Sequence, residues 1–287
     1  MPDPAEPLPG RHPVRFGTAE LIADLDRPRG WMLAVDGVFQ SYVDLDDPTY
    51  LDFGYLHHVG RVLDLVAPPG APVDAVHLGV GAGTLVRYLA STRPGSRHVV
   101  VDADGPLLDL ALGTLGLGRV PGVVPQCQDA RDAVAAQPDD SADVVVLDVF
   151  AGGAVPVHVT TAEFAADVAR VLRTGGVCVA NLADSGALAF ARAQAATWRA
   201  ALGSVVLLAE PAVLRGRRYG NLVLACSRHP LPVEPLVRAV APAPFPARVL
   251  HGEALDGFVG DAVPATDAVA VAPPSPPAGT VGDALSG

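Results

Sequence analysis

The sequence predicts an α/β fold in which a small antiparallel β-domain precedes a mainly parallel, Rossmann-type sheet. Three observations indicate this. β-type runs and helix-type stretches alternate between residues 71 and 240. The apolar run at 73–78 opens directly into a loop with glycine at alternate positions, and a valine run follows at 99–101. Before residue 50, short β-type runs are separated only by turn signals.

The N-terminal part divides into a lead and a small domain. Residues 1–12 hold four prolines and no periodic pattern, so we expect a disordered lead. Three β-type runs follow, at 18–26, 31–35 and 38–43. A stretch with helical spacing at 50–66 ends at Pro68-Pro69-Gly70. Residues 13–67 are therefore predicted to form a small β-domain plus a linking helix.

Residues 71–240 are predicted to form a nucleoside-binding α/β domain. Near its end, β-type runs at 205–208 and 221–225 follow one another with no helix between them. That order predicts a terminal antiparallel hairpin on the sheet. Beyond about residue 241 the apolar residues lose their period, so 241–287 is predicted to be an extension, disordered from about residue 264.

The glycine loop carries the first chemical signal. Gly79, Gly81 and Gly83 follow a Gly-x-Gly-x-Gly spacing, whereas a dinucleotide fingerprint places its third glycine one residue later. The spacing disfavours NAD or FAD and favours an S-adenosylmethionine-type nucleoside. Asp102 ends the following valine run, where a carboxylate can accept hydrogen bonds from both ribose hydroxyls. We therefore predict a nucleoside site at this loop.

The composition restricts the partners. The 287 residues carry a net charge of −11, which argues against nucleic acid because phosphates require basic patches. Cys127, Cys178 and Cys226 are widely spaced and form no Cys-x-x-Cys motif, so no metal site is predicted. The sequence lacks a signal-peptide pattern and an apolar run of membrane length. We expect a cytoplasmic protein without a membrane partner.

Several motifs together resemble a known family. They are Val35-Asp36-Gly37-Val38-Phe39-Gln40, the glycine loop, Asp102-Ala103-Asp104, Asp129-Ala130-Arg131, Asp143-Val144-Val145-Val146-Leu147-Asp148 and Thr161-Ala162-Glu163-Phe164. With them the chain resembles the spermidine synthases over residues 17–228. These enzymes are the aminopropyltransferase branch of the class I S-adenosylmethionine-dependent methyltransferase fold. The Asp-Gly-x-x-Gln signature ahead of a glycine loop is the most specific of the motifs.

The resemblance implies a transferase and assigns roles to residues. The co-substrate of such a transferase would be S-adenosylmethionine or decarboxylated S-adenosylmethionine, and no metal would be needed. Its partner would be a small-molecule amine, and a homodimer is left open. Gln40 and Asp102 would hold the nucleoside with the glycine loop. Asp129 would meet the adenine amino group with Ala130 beside it. Asp148 would be the catalytic carboxylate that faces the incoming amine.

The chain also departs from the family pattern. Ala82 and Ala151 stand where the family carries aspartates, the family's aromatic-polar-Glu element becomes Tyr50-Leu51-Asp52, and its late tyrosine falls near Arg217. A polyamine carries at least two positive charges and needs carboxylates to replace its water. We therefore expect weakened polyamine-type activity. Because an aspartate at position 82 would repel the carboxylate of intact S-adenosylmethionine, Ala82 would no longer exclude that molecule.

Three functions follow from these observations. The first is a spermidine synthase-like transferase that alkylates an amine with Asp148 as base. The second is a methyl or aminocarboxypropyl transferase that uses intact S-adenosylmethionine on a less cationic acceptor. The third is a non-catalytic protein that retains the nucleoside pocket.

Overall fold

The structure is a computed structural model, and it describes residues 7–242 and 244–274. Its elements, in chain order, are β1 (Gly10–Val14), β2 (Gly17–Ala23), β3 (Gly30–Val35), β4 (Val38–Asp44), α1 (Gly54–Asp64), β5 (Asp74–Leu78), α2 (Thr84–Thr92), β6 (Arg97–Asp102), α3 (Gly105–Asp109), β7 (Val123–Cys127), α4 (Ala130–Ala136), β8 (Ala142–Leu147), α5 (Ala162–Val171), β9 (Leu172–Asp184), α6 (Ala189–Leu202), β10 (Ser204–Ala209), α7 (Pro211–Leu214), β11 (Gly220–Ser227), α8 (Val233–Val240), β12 (Arg248–Leu250) and α9 (Gly252–Val259). A π-helical turn (Leu110–Thr114) continues α3, and 3-10 turns form at Leu117–Arg119 and Val157–Val159.

The N-terminal sheet is an antiparallel meander in the order β1-β2-β3-β4. Asp36 and Gly37 both have positive φ, 49° and 79°, and form the tight turn between β3 and β4. The expected disordered lead at 1–12 is corrected in part, because β1 begins at Gly10 and pairs with β2. Residues 1–6 of that lead lie outside the described residues.

The main sheet confirms the predicted α/β fold and its nucleotide-binding topology. Within the described residues it runs β12-β10-β11-β9-β8-β5-β6-β7. Strands β5, β6, β7, β8 and β9 are parallel, so their carboxyl ends meet at one edge. The predicted antiparallel hairpin is formed by β10 and β11, with β11 next to β9. The prediction of no helix between these strands is wrong, because the four-residue helix α7 connects them. Successive strands are added on one side of β5 up to β7 and on its other side from β8, so β5 and β8 form a topological switch point, where such sheets have a crevice.

Helices cover both faces of the main sheet. One face packs against α4, α5, α6 and α9 through a cluster that includes Phe164 and Trp198, whose rings meet edge to face at 6.3 Å. The other face packs against α1, α2 and α8 through Val59, Leu89 and Leu236. In the described part of the chain no helix is long and apolar enough to cross a membrane.

The C-terminal extension is more ordered than the sequence predicts. Strand β12 pairs with β10 and forms the sheet edge, outside the predicted hairpin. The prediction of disorder from residue 264 is wrong for the first residues beyond it, because Ala265 is buried. Its carbonyl accepts a hydrogen bond from the Ala162 N–H, and its N–H donates to the Thr197 hydroxyl oxygen. Apolar periodicity carries no sign of this ordered segment, because the segment docks through hydrogen bonds of its backbone. Residues 275–287 lie outside the described residues.

Two histidines are buried side by side in the sheet. His77 in β5 and His98 in β6 are 1% and 0% exposed, and their Nε2 and Nδ1 atoms are 3.3 Å apart. Nε2 of His98 is buried with no hydrogen-bond partner among the described residues. Burial lowers the pKa of His77 to about 3 and that of His98 to about 4. Both imidazoles are therefore neutral in the folded protein at neutral pH.

This pair predicts an acid-sensitive fold. The unfolded histidines protonate near pH 6.5 while the folded ones do not, so stability should decrease as pH falls below about 6.5 towards the folded pKa values. Replacing both with valine should flatten that decrease. The measurement is the free energy of unfolding from urea titrations between pH 8 and pH 5, with His229→Asn as an exposed-loop control. An unchanged pH slope in the double variant would contradict the assignment.

Candidate active site

The glycine loop between β5 and α2 is held by close approaches to two other segments. Gly79, Gly81 and Gly83 have φ of 82°, 51° and 81°, which favour glycine over any residue with a Cβ. A Cβ on Gly79 would lie 2.1 Å from the carbonyl oxygen of Asp148, and one on Gly81 would lie 2.8 Å from Cβ of Ser41. The loop therefore brings the ends of β5 and β8 together beside β4.

Asp102 lies beside this loop, at the carboxyl end of β6. Its Oδ2 accepts a hydrogen bond from the Val80 N–H at 3.1 Å, and its Oδ1 accepts one from the Asp104 N–H at 2.9 Å. Burial raises the pKa of Asp102, while these two hydrogen bonds oppose the rise. Each carboxylate oxygen keeps a further lone pair. Two adjacent hydroxyl groups can therefore still bind to it.

Gln40 owes its orientation to an irregularity in β4. Leu33 pairs with Ser41 and Ala34 pairs with Phe39, so Gln40 is the extra residue of a β-bulge. Bulges redirect one side chain out of the alternating pattern, and they are frequent next to active sites. The neighbouring Ser41 approaches the glycine loop, so Gln40 lies close to it along the chain. A bulge of one residue leaves no sequence signal beyond the Asp-Gly-x-x-Gln motif itself.

Asp104 joins the two sheets, a role that the sequence alone does not predict. It is 3% exposed, and its carboxylate accepts hydrogen bonds from the N–H groups of Arg15 and Phe16, both at 3.0 Å. It also caps α3 through the Leu107 N–H. The turn between β1 and β2 is thus fixed against the end of β6, two residues from Asp102.

Asp129 and Ala130 lie at the end of β7, where α4 begins. Asp129 is the N-cap, and its Oδ1 accepts from the Arg131 N–H at 2.8 Å. Its Oδ2 accepts from Nε2 of His158 at 2.8 Å. His158 lies in the 3-10 turn after β8, and sequence reasoning missed it because nothing along the chain links residues 129 and 158.

Asp148 ends β8 and is half-buried in a polar network with Tyr55, Asn181 and Asn221. Oδ2 accepts from the Tyr55 hydroxyl at 2.9 Å, and Oδ1 accepts from the Asn181 side-chain amide at 2.8 Å. Asn221 in turn donates to the Asn181 oxygen at 3.0 Å, which fixes the orientation of that amide. Burial raises the pKa of Asp148. No salt bridge among the described residues neutralises it, since both partners are uncharged.

The sequence alone missed Tyr55, Asn181 and Asn221. Asn181 is 3% exposed and sits opposite Val223 in the antiparallel pairing, inside a run of apolar strand residues. A polar side chain in the middle of such a run was the available signal. Such residues are buried only with a hydrogen-bond partner, and here the partner is Asp148.

A short flap follows Asp148. Ala151 and Ala154 form a two-way backbone pair around Gly152 and Gly153, whose φ values are 60° and 80°. Such a pair of left-handed glycines makes a tight hairpin turn. The Tyr219 hydroxyl donates to the Gly153 carbonyl at 3.1 Å. Tyr219 lies two residues beyond Arg217, the position near which the family pattern has its tyrosine. It therefore contacts the flap.

The Tyr50-Leu51-Asp52 element is engaged with the N-terminal sheet. The Arg27 guanidinium carbon lies 3.6 Å from the centre of the Tyr50 ring, and Arg27 also pairs with the buried Asp44. The Tyr50 hydroxyl donates to Asp52 at 3.2 Å. Burial raises the pKa of Asp52. One face of Tyr50 is thus covered by the chain's own cation.

Ala82 is buried, which contradicts the prediction that position 82 faces the ligand. Its side chain is 0% exposed and packs in an apolar cluster with Trp31, Leu33 and Val43 of the N-terminal sheet. It does not line an open cleft, which removes the geometric basis for a direct effect of position 82 on a ligand's amine or carboxylate. Ala151, by contrast, is exposed in the flap.

A solved structure decides the family. The fold of a probable spermidine synthase from Corynebacterium glutamicum ATCC 13032 matches with a TM-score of 0.84 and 30% identity, over 91% of this chain and 97% of that one. The chain belongs to the spermidine synthase-like family. A family model described as a methyltransferase domain matches residues 76–180, which include the glycine loop and the ends of β6, β7 and β8.

Two curated relatives of this spermidine synthase-like chain are transferases of different kinds. An N-terminal histidine N-methyltransferase of Emericella nidulans is 30% identical over 190 residues, which is 63% of this chain and 33% of that protein. A polyamine aminopropyltransferase of Chromobacterium violaceum is 27% identical over 149 residues, 50% of this chain and 53% of that protein. The chain thus spans between a third and about half of the length of these relatives.

No cluster of three or more His, Cys, Asp or Glu side chains suited to a metal ion occurs in residues 7–242 and 244–274. The carboxylates at the sheet edge are instead held apart by separate partners, Asp102 by backbone N–H groups and Asp148 by Tyr55 and Asn181. Each of these two carboxylates is therefore held singly by uncharged hydrogen-bond donors.

An introduced aspartate should lower the free energy of unfolding strongly at position 82 and hardly at position 151. Ala82→Asp should lower the free energy of unfolding by about 3 kcal/mol or more, because an unpaired carboxylate would enter an apolar cluster. Ala151→Asp should change it by about 0.5 kcal/mol or less, because the side chain is exposed. Urea denaturation of the two variants measures both. Equal stability of Ala82→Asp and the natural protein would mean that position 82 faces an open pocket.

Proposed function

We propose that this protein is a transferase that binds an adenosyl-sulfonium co-substrate at the glycine loop and alkylates an amine whose proton Asp148 accepts. The observation that carries the proposal is the electrostatic state of Asp148. It is a desolvated carboxylate held by two neutral donors at the ligand-binding edge of the sheet. A buried negative charge without a cation is unfavourable, so the site favours a positively charged ligand.

The glycine loop and Asp102 are proposed to bind the nucleoside part of the co-substrate. The loop glycines pack so closely on Asp148, Ser41 and Leu117 that none of them could carry a Cβ. A loop without side chains is one whose backbone a ligand can approach. Asp102 offers two oxygens of fixed orientation to the ribose hydroxyls. Gln40 on the β-bulge and Asp129 with Ala130 at the end of β7 complete the proposed nucleoside contacts, the last two at the adenine.

The reaction is a nucleophilic displacement at the carbon next to sulfur. The amine nitrogen forms a bond to that carbon, the carbon–sulfur bond breaks, and its electron pair stays on sulfur as a neutral thioether. The alkylated nitrogen carries a positive charge and a surplus proton, which passes to the Asp148 carboxylate. Tyr55 and Asn181 hold the carboxylate in place for that transfer, and the negative charge stabilises the ammonium that develops.

The acceptor is proposed to carry few positive charges. A diamine must lose the hydration of two ammonium groups, and each needs a carboxylate within the site. Among the candidate partners, Asp52 is tied to Tyr50, and the face of Tyr50 is covered by Arg27. This arrangement supports a single-amine acceptor and a weakened polyamine-type activity, although burial of Ala82 means that Ala82 supplies no reason for it.

Methyl transfer from intact S-adenosylmethionine is the second candidate. It is favoured by the methyltransferase relative, whose aligned part spans more of this chain than that of the aminopropyltransferase. The chemistry at Asp148 is the same in both cases, since each moves a carbon from the sulfonium to an amine. Isothermal titration with intact and decarboxylated S-adenosylmethionine separates the two donors, and binding of neither would contradict the proposed function.

Asp102→Ala should weaken binding of the preferred donor at least tenfold, about 1.4 kcal/mol, because two hydroxyl contacts lose their acceptor. The measurement is the same titration. Asp109→Ala, on the exposed side of α3, serves as the control and should leave the affinity unchanged. Unchanged affinity of Asp102→Ala would exclude this carboxylate as the ribose ligand.

Asp148→Asn should lower product formation by about 10² to 10⁴-fold while donor affinity stays within about twofold, because the amide retains the size but cannot accept a proton. In the natural protein the rate should decrease with falling pH at a higher pH than an ordinary aspartate requires, since burial raises the pKa of Asp148. Mass spectrometry of alkylated amines measures both. Asp143→Asn at the other end of β8 is the control. An active Asp148→Asn variant with the natural pH profile would exclude Asp148 as base.

A further inference from the structure

We infer that Asp267 is a positioning residue for adenine recognition, which it controls through Arg131, His158 and Asp129. The inference rests on the proposed function, because it concerns how the adenine end of the nucleoside site is built. It assigns a role in ligand specificity to the segment at 262–269, which lies beyond the residues 17–228 that carry the sequence motifs.

The chain of contacts begins at Asp129. One of its oxygens is held by the Arg131 backbone N–H and the other by His158, both at 2.8 Å. A carboxylate restrained at both oxygens has a fixed plane, so its remaining lone pairs point in fixed directions. An adenine amino group that donates to one of them is recognised only while this plane is kept, and a keto group in its place cannot donate.

Arg131 connects His158 to the C-terminal segment. Its Nη1 donates to the His158 carbonyl at 3.2 Å and to Oδ1 of Asp267 at 2.7 Å, while Nη2 donates to Oδ2 of Asp267 at 2.6 Å. The bidentate pair fixes the guanidinium plane. The same pairing lowers the pKa of Asp267 to about 2, so the carboxylate stays ionised throughout the physiological pH range.

The segment itself is anchored on the helices behind the site. The Ala265 carbonyl accepts from the Ala162 N–H at 2.8 Å, and the Ala265 N–H donates to the Thr197 hydroxyl oxygen at 2.9 Å. The Asp267 N–H donates to Glu163 at 3.0 Å. Ala265 is 1% exposed. Asp267 is thus held from its backbone, which makes it a fixed support for Arg131 even though its side chain is exposed.

Removal of the Asp267 charge should therefore act on the amino group of adenine and not on the nucleoside as a whole. Without its bidentate partner, Arg131 loses its fixed plane, and His158 loses the contact that holds its backbone. Asp129 then retains its helix-capping hydrogen bond but not a defined partner at the second oxygen. The ribose contact at Asp102 lies on another strand and stays intact.

The experiment compares two nucleosides on the full chain by isothermal titration. The probes are 5′-methylthioadenosine, which both proposed donors contain, and 5′-methylthioinosine, in which a keto group replaces the amino group. The natural protein should prefer the adenosine form, and Asp267→Asn should reduce that preference by about tenfold, as expected for one lost hydrogen bond. Asp261→Asn, an equal charge change in an exposed residue of the same region, should keep the natural preference. Asp267→Glu should recover part of it.

The outcomes are distinct. A selective loss of adenosine affinity in Asp267→Asn, with the melting temperature unchanged, supports the inference. An unchanged preference, or an equal loss for both nucleosides, overturns it and leaves the proposed function standing. If the natural protein binds neither nucleoside, the proposed function fails and the inference with it.

Discussion

The contact between Gly79 and the carbonyl of Asp148 is the constraint on which the rest of the site depends. The ends of β5 and β8 approach so closely there that a single Cβ would overlap the carbonyl oxygen at 2.1 Å. This approach sets Asp148 beside the glycine loop, and the Val80 N–H that follows Gly79 points to Asp102. Two carboxylates from different strands are thereby fixed by one turn. A looser turn would separate Asp102, the proposed nucleoside contact, from Asp148, the proposed base, and small displacements between such groups are costly for catalysis.

The half-buried carboxylates at this edge then determine which ligands suit it. Asp52, Asp102 and Asp148 all have pKa values raised by burial, and their hydrogen bonds come from hydroxyl, amide or backbone groups. At the opposite end of the sheet, Asp74 and Asp143 are instead paired with Arg173. Asp102 and Asp148, at the carboxyl ends of the strands, have no arginine partner among the described residues. A sulfonium and an amine, the ligands proposed for this edge, would supply the missing positive charge.

The sequence was sufficient for the fold and for residues that lie at strand ends. Apolar runs, the glycine spacing and the position of Asp102 follow from local geometry, and the parallel sheet then brings their carboxyl ends together. The bulge at Gln40, the burial of Ala82 and the pairs of Asp129 with His158 and Asp148 with Tyr55 could not be predicted. Each depends on which distant segments pack together, and periodicity carries no information on that. The docking of Ala265 was missed for the same reason, since backbone hydrogen bonds leave no composition signal.

These distant segments also explain why the site is surrounded by both ends of the chain. The turn between β1 and β2 binds Asp104 at the end of β6, α1 supplies Tyr55 to Asp148, and the segment around Asp267 holds Arg131 at the start of α4. Each contact joins residues about 90 to 140 positions apart, as the pairs Phe16 with Asp104 and Arg131 with Asp267 illustrate. Such long-range restraints are the means by which a sheet shared by many transferases can acquire a particular substrate, because they alter the surroundings of the carboxylates without changing the strands that carry them.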